Sequence, residues 1–317
     1  MQTDKLFFEK KIIITAIIYF LLSGIILYTY GIQLGGEAEK YIDNAHRILN
    51  KQELRNGVFG FFYLAYSLLV AFFVKFSVNL VAVAIVQVLL SFIAALFFYK
   101  LLFETLGNKT AAFIFLVAYL LCYPVQKWNF YLYSESLHNS LLVIGVYLFN
   151  KWVHERKFSR LMTLVTIILL ILFSRPAGVL FLMSLFAVLM VWLYRNKKQM
   201  QFYLLAGISI ASVIVILNSP LTAFVNPDSI RRMEVICQVP ETNADAGYQE
   251  FNRQGLNKAL AVIKDEIGLG SFIKNGAKKL GYFFGMYRSY YSWQNNLLLI
   301  CFTAFYFFTA FFIDIYF

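Results

Sequence analysis

Charge is scarce in this chain. Only 14% of its 317 residues are Asp, Glu, Lys or Arg, roughly half of what a soluble domain carries. That deficit excludes a water-solvated surface for most of the molecule. Sixty per cent of the residues are hydrophobic, and several apolar runs approach the ~20 residues that cross a bilayer. Acidic residues are scarcer than basic ones, 17 against 28, leaving a formal net charge of +11. Part of the excess is topological, because cytoplasmic loops collect Lys and Arg, and part suits an anionic ligand. Nucleic acid is not an expected partner. Cysteine is limited to Cys122, Cys237 and Cys301, two of them in apolar stretches, so no disulfide framework is expected. The three histidines, His46, His138 and His154, lack metal-ligand spacing. The chain also lacks a Gly-rich phosphate loop, a Walker motif, GxSxG and CxxC, which removes the common soluble-enzyme chemistries.

What is present is a series of apolar segments. Spans are expected near 12–31, 78–98, 111–124, 137–152, 161–174, 176–194, 201–218 and 293–316, an all-α polytopic bundle of about eight crossings. The first apolar stretch is too long for a signal-peptide core and has no small-residue cleavage site, so it reads as an uncleaved span. Basic clusters at the N-terminus, at Lys100 and Lys109, at 151–160 and at 194–199 share the cytoplasmic side only if an even number of crossings separates them. Counting the run at 58–74 as a crossing breaks that parity. It is therefore expected to be a re-entrant or interfacial helix on the outer face. Residues 161–194 are too long for one crossing and are interrupted at Arg175-Pro176-Ala177-Gly178, which predicts a hairpin with Arg175 near the outer surface.

Two outward segments are less apolar. In 32–57, Ala38, Tyr41, Ile42, Ala45, Ile48 and Leu49 recur at helical spacing, predicting an amphipathic helix along the membrane that starts after Gly35-Gly36. The stretch 219–291 opens with turn signals, and from Leu256 it reads as helices returning to the bilayer. The expected organisation is a transmembrane module over 1–218 with a first outer loop at 32–76, an extracytoplasmic region over 219–291, and a last span over 292–317.

Ionisable residues at the membrane boundary are costly and mark candidate sites. Those on the outer side are Glu37, Glu39, Asp43 and Arg55 in the first loop, then Lys127, Glu135 and Arg175. Each has a plainer explanation. Glu37 reads by itself as a helix-start acid, gaining ~0.3–1 kcal/mol from the helix dipole. Glu135 reads equally as a helix-start acid, with Ser134 or Ser136 as the cap. Lys127 with Trp128 reads as an interfacial anchor. Arg175 is harder to set aside, because an arginine between two apolar runs must pair or snorkel and its planar fork suits phosphate oxygens.

The order of these features resembles the GT-C membrane glycosyltransferases, nearest the aminoarabinose-transferase and protein-mannosyltransferase type. The resemblance is carried by short motifs over roughly residues 1–290: Glu37, Tyr41 and Ala45 in GGEAEKYIDNA, the following GVFGFFYLAYSLL, then Ser134-Glu135 and Arg175-Pro176. The family's loop acid is usually aspartate, and this chain has Glu37 in its place.

The resemblance implies transfer of a sugar from a polyprenyl-phosphate carrier to a glycan, lipid or protein acceptor on the non-cytoplasmic face, with inversion. Glu37 is expected as the base, with Glu39 and Asp43 as substitutes. Glu135 is expected at the catalytic centre, holding sugar hydroxyls. Tyr41 and Arg175 belong to the substrate site, and Arg55 and Lys127 share the phosphate charge. No cofactor is implied with certainty; a divalent cation is compatible, although no ligand set stands out. The expected location is a bacterial plasma membrane with the N-terminus cytoplasmic. A transporter of a lipid-linked saccharide and an inactive partner in polysaccharide assembly are the alternatives.

Overall fold

The computed structural model describes residues 2–55, 57–197, 199–201, 203–207, 262–283 and 293. The chain divides into two compact units, Met1–Trp192 and Leu193–Phe317. Among the described residues the protein is helical, with one isolated parallel bridge between Gln33 and Tyr131 and no extended strand. The helices are α1 (Gln2–Tyr30), α2 (Ala38–Leu49), α3 (Leu64–Lys75), α4 (Val81–Leu106), α5 (Lys109–Leu121), α6 (Tyr123–Gln126), α7 (Ser134–Glu155), α8 (Phe158–Leu172), α9 (Gly178–Arg195) and α10 (Leu269–Phe283).

Among the described residues three segments are long and apolar enough to cross a bilayer: Lys10–Tyr30, Val81–Leu106 and Gly178–Arg195. A fourth is available if Lys109–Leu121 and Tyr123–Phe130, which meet at a 52° bend, count together. The protein is thus a helical membrane protein. The segment expected at 78–98 extends to Leu106, because nothing stops the helix before Gly107. That residue takes the left-handed φ of +66° that glycine tolerates, and Asn108 then caps α5 by accepting from the N–H groups of Thr110 and Ala111. The segment expected at 137–152 becomes the longer α7, ~33 Å by helix rise. It is long enough to cross but more polar than the others, since it packs between α4 and α8 with His138 and Ser140 buried. The segment expected at 201–218 is described only at 201 and 203–207, where it is helical, and the one expected at 293–316 lies outside the described residues except for 293.

The run at 58–74 forms a 3₁₀ stretch (Gly57–Tyr63) followed by α3, whose 12 residues reach ~18 Å, well short of a ~30 Å hydrocarbon core. It packs on α2 through a core of Tyr41, Ala45, Tyr66, Val70 and Val83. The amphipathic helix expected in the first loop is α2. Its buried face carries Ala38, Tyr41 and Ala45 at i, i+3 and i+7, all fully buried. The expected hairpin is α8 and α9. A Cβ on Gly178 would lie 2.6 Å from the Ile171 carbonyl oxygen, so only glycine lets the chain reverse this closely. Gly145 of α7 faces the hairpin less tightly, where a Cβ would lie 3.1 Å from the side-chain ends of Ile171 and Phe181.

The segment 122–133 between α5 and α7 is folded into the bundle, where unpaired polar groups would be expensive. A buried network satisfies them. Tyr19 of α1, Ser91 of α4 and Asn129 all donate to the Gln126 side-chain oxygen at 2.8–3.1 Å. Gln126 donates to the Tyr119 carbonyl, and the Ser136 hydroxyl to the Asn129 side chain. Gln87 of α4 is the second anchor: its amide nitrogen faces the carbonyl oxygens of Trp128, Asn129 and Tyr131 at 3.0–3.1 Å.

Candidate functional site

The site is built where α2, the start of α7 and the α8–α9 turn meet, wholly within the first unit. Three links bring these distant pieces together. The Leu132 N–H donates to the Gln33 carbonyl and the Gln33 N–H to the Phe130 carbonyl, which ties the segment before α7 to the segment before α2. The Ala65 N–H donates to the Phe173 carbonyl, tying the start of α3 to the end of α8. Tyr66 donates to the Gln87 side-chain oxygen at 2.6 Å and meets the Tyr41 ring edge-on at 4.8 Å, so α4 supports α2 through α3.

At this junction Glu135 forms an ion pair with Arg175. Their side chains are 18% and 25% exposed, so the pair sits mostly out of water. Burial alone would weaken the Arg175 charge; the Glu135 carboxylate more than offsets this and holds the guanidinium firmly protonated. The second carboxylate oxygen of Glu135 is buried without a hydrogen-bond partner.

Tyr41 is the common neighbour of the charges around it, feeling Glu135, Glu37 and Arg175. Burial pushes its phenol far above the ordinary tyrosine value, so it remains a hydroxyl. Its oxygen lies 2.9 Å from the Ser134 hydroxyl and 3.4 Å from the Glu37 carboxylate. A relay in which Ser134 donates to Tyr41 and Tyr41 donates to Glu37 satisfies all three.

Glu37 occupies the residue before α2, yet its side chain accepts nothing from the helix N–H groups. Glu37 thus makes no capping hydrogen bond, although its charge still lies at the positive end of α2. Its carboxylate binds Lys40 at 2.9 Å instead and remains about half exposed. The same applies at α7, where neither expected serine caps: Ser134 turns to Tyr41 and Ser136 to Asn129. The Glu37 backbone is positioned separately. Its N–H donates to the Tyr133 hydroxyl, which in turn donates to the Gly35 carbonyl. Gly36 has a φ of +64°, and a Cβ there would collide with that hydroxyl, so the approach of Tyr133 requires glycine at 36.

Glu37, Tyr41, Glu135 and Arg175 thus come together. Four other expected residues do not join them. Glu39 is exposed, and Asp43 pairs with Arg47 one turn along α2. Arg55 is exposed and bonded through its backbone N–H to Asn44, and Lys127 lies over the Trp128 ring.

The junction also holds residues that were not anticipated from sequence. Lys40 sits 4.0 Å from the centre of the Tyr63 ring and 4.8 Å from that of Tyr41, as well as on Glu37. The i, i+3 spacing from Glu37 was the available signal. His138, one turn below Glu135, contacts the Ser174 hydroxyl at 2.8 Å beside Arg175. No local pattern announced that pair. Among the described residues no group of three His, Cys, Asp or Glu side chains forms a metal cage.

Chemically, the arrangement offers a half-exposed carboxylate steadied by a lysine, one buried arginine already paired, and a protonated phenol between them. Comparisons with protein-family models, curated proteins and solved structures return no match for this chain.

Proposed function

We propose that this protein is a membrane glycosyltransferase that moves a sugar from a polyprenyl-phosphate donor to an acceptor hydroxyl at the extracytoplasmic face. The observation that supports this most is the convergence of Glu37 and Tyr41 from the first loop with Glu135 and Arg175 from far along the chain. A carboxylate at a rim, facing a buried cation, is what an inverting transfer from a lipid-borne phosphate needs.

In the proposed reaction the acceptor oxygen attacks the anomeric carbon from the face opposite the phosphate. The bond between that carbon and the phosphate oxygen breaks, and the phosphate keeps the electron pair. Glu37 takes the acceptor proton, a contribution typically worth ~10²–10⁴-fold. Arg175, engaged by Glu135 at Nη1, keeps the remaining donors of its fork for the phosphate oxygens, and its fixed charge meets the negative charge as it develops. Glu135 holds the guanidinium in place and keeps one carboxylate oxygen for a sugar hydroxyl. The sugar, the acceptor and a plasma-membrane location with the N-terminus cytoplasmic belong to the same proposal.

A transfer assay with a radiolabelled polyprenyl-phosphate sugar and purified protein in lipid tests this. Transfer that is lost in Glu37→Gln while insertion and folding persist is the expected result. Movement of the donor between leaflets without glycoside formation would make the protein a transporter, and neither activity would remove both assignments.

A further inference from the structure

One helix of the second unit is turned inside out for water. In α10 the residues Leu269, Phe272, Ile273, Gly276, Leu280 and Phe283 fall in one stripe, at i, i+3, i+4, i+7, i+11 and i+14. Leu269 is 65% exposed and Ile273 61%, whereas the polar Asn275 is only 8% exposed. An aqueous helix buries the first two and shows the third. The 15 residues of α10 reach ~22 Å, too short for a ~30 Å hydrocarbon core, so the helix does not qualify as a crossing.

Charge indicates the orientation. Lys274 and Lys278 lie on the side opposite the stripe, and Lys279 flanks it. The two acids nearby, Asp265 and Glu266, precede α10 in a π-helical turn over Val262–Ile267. Gly268, with a φ of +80° and its N–H on the Ile263 carbonyl, closes that turn. The acids therefore sit at the positive end of the helix dipole together with Lys264, and Lys274, Lys278 and Lys279 follow within the helix.

We propose that α10 lies in the plane of the membrane surface, with its apolar stripe among the acyl chains and its lysines against anionic lipid headgroups. A stripe of apolar residues with lysines on the polar face is the composition that binds such surfaces, and each lysine near an anionic surface favours docking by about fivefold. The occupant of the exposed stripe is lipid, and the charge complement is an anionic headgroup. This assignment stands apart from the proposed glycosyltransferase chemistry and survives if that chemistry is wrong.

The test uses the full chain with Cys122, Cys237 and Cys301 replaced by serine, reconstituted in nanodiscs, with a spin label on Ile273→Cys or on Ser271→Cys. Oxygen and a water-soluble nickel chelate report depth. The Ile273 label is expected to be accessible to oxygen and protected from nickel, and the Ser271 label the reverse. In discs of phosphatidylcholine alone, or with Lys274→Glu and Lys278→Glu in phosphatidylglycerol discs, the Ile273 label is expected to lose much of its protection. Nickel access at Ile273 in every lipid would overturn lipid contact. Equal protection in neutral and anionic discs would overturn the headgroup assignment. Dipolar broadening between labels would show that a second copy, not lipid, covers the stripe.

Discussion

The two ends of α7 are both charged, and they are charged differently. At the C-terminal end Glu155 meets Lys151, Lys157 and Arg160, and Lys151 also reaches Glu104 of α4 at 2.8 Å. These groups touch water, the lysine and arginine of 157–160 most of all. Glu155 has three cations and Lys151 two anions, so the charges there are shared across a network, with Glu104 held by Lys151 alone among the described residues. At the N-terminal end Glu135 and Arg175 have only each other as ion-pair partners in the described structure, and the pair is largely buried beside Tyr41. The N-terminal end thus rests on one secluded pair, and the C-terminal end on a shared, hydrated network. A buried pair is a poor way to add stability, because desolvation consumes most of the attraction. Its retention at one end only is a sign of use.

The largest expected effect breaks the Glu135–Arg175 pair. Arg175→Ala should abolish donor binding, read with a polyprenyl phosphate, and lower stability by up to ~3 kcal/mol, the low end for a buried pair, because a carboxylate is left unpaired. Arg175→Ala combined with Glu135→Ala should recover most of the thermal stability and none of the binding. Recovery of binding would mean that the pair is only a staple.

Next comes Glu37→Gln, which should cost ~10²–10⁴-fold in transfer with the melting temperature unchanged, since Gln keeps the size and still accepts from Lys40. Ordinary turnover in that variant would remove the base.

Gln87→Leu strands the Tyr66 hydroxyl and three carbonyl groups, so a loss of about 2 kcal/mol is expected in thermal unfolding, together with a fall in transfer as α2 loosens. Tyr66→Phe should reproduce a smaller part of both. The smallest effect belongs to the C-terminal end of α7. Lys151→Ala should change stability by less than ~1 kcal/mol and leave transfer untouched. A large loss of transfer there would erase the contrast between the two ends.

Local features were legible in the sequence because their causes are local. The apolar period of Ala38, Tyr41 and Ala45 announced α2, and Arg175-Pro176-Ala177-Gly178 announced the hairpin. The spacing of Glu37 and Tyr41 placed them within reach across one turn. What that spacing did not reveal was the partner each group chooses. Ser134 has the composition of a cap, but a phenol 93 positions away competes successfully for its hydroxyl. Asp43 was a substitute for Glu37 by composition, and its place farther along α2 gives it to Arg47, away from the junction.

By itself the sequence determined that lipid is the main solvent, that the chain is helical, and that its first loop carries an amphipathic helix. Those properties follow from residue type and period, which act over a few positions. The tertiary structure alone decided that Glu135 meets Arg175, that Lys40 steadies Glu37, and that Gln87 supports the floor beneath Tyr41. These depend on how loops close and helices pack across long separations, where many pairings satisfy the same local pattern and only the complete set of contacts selects one.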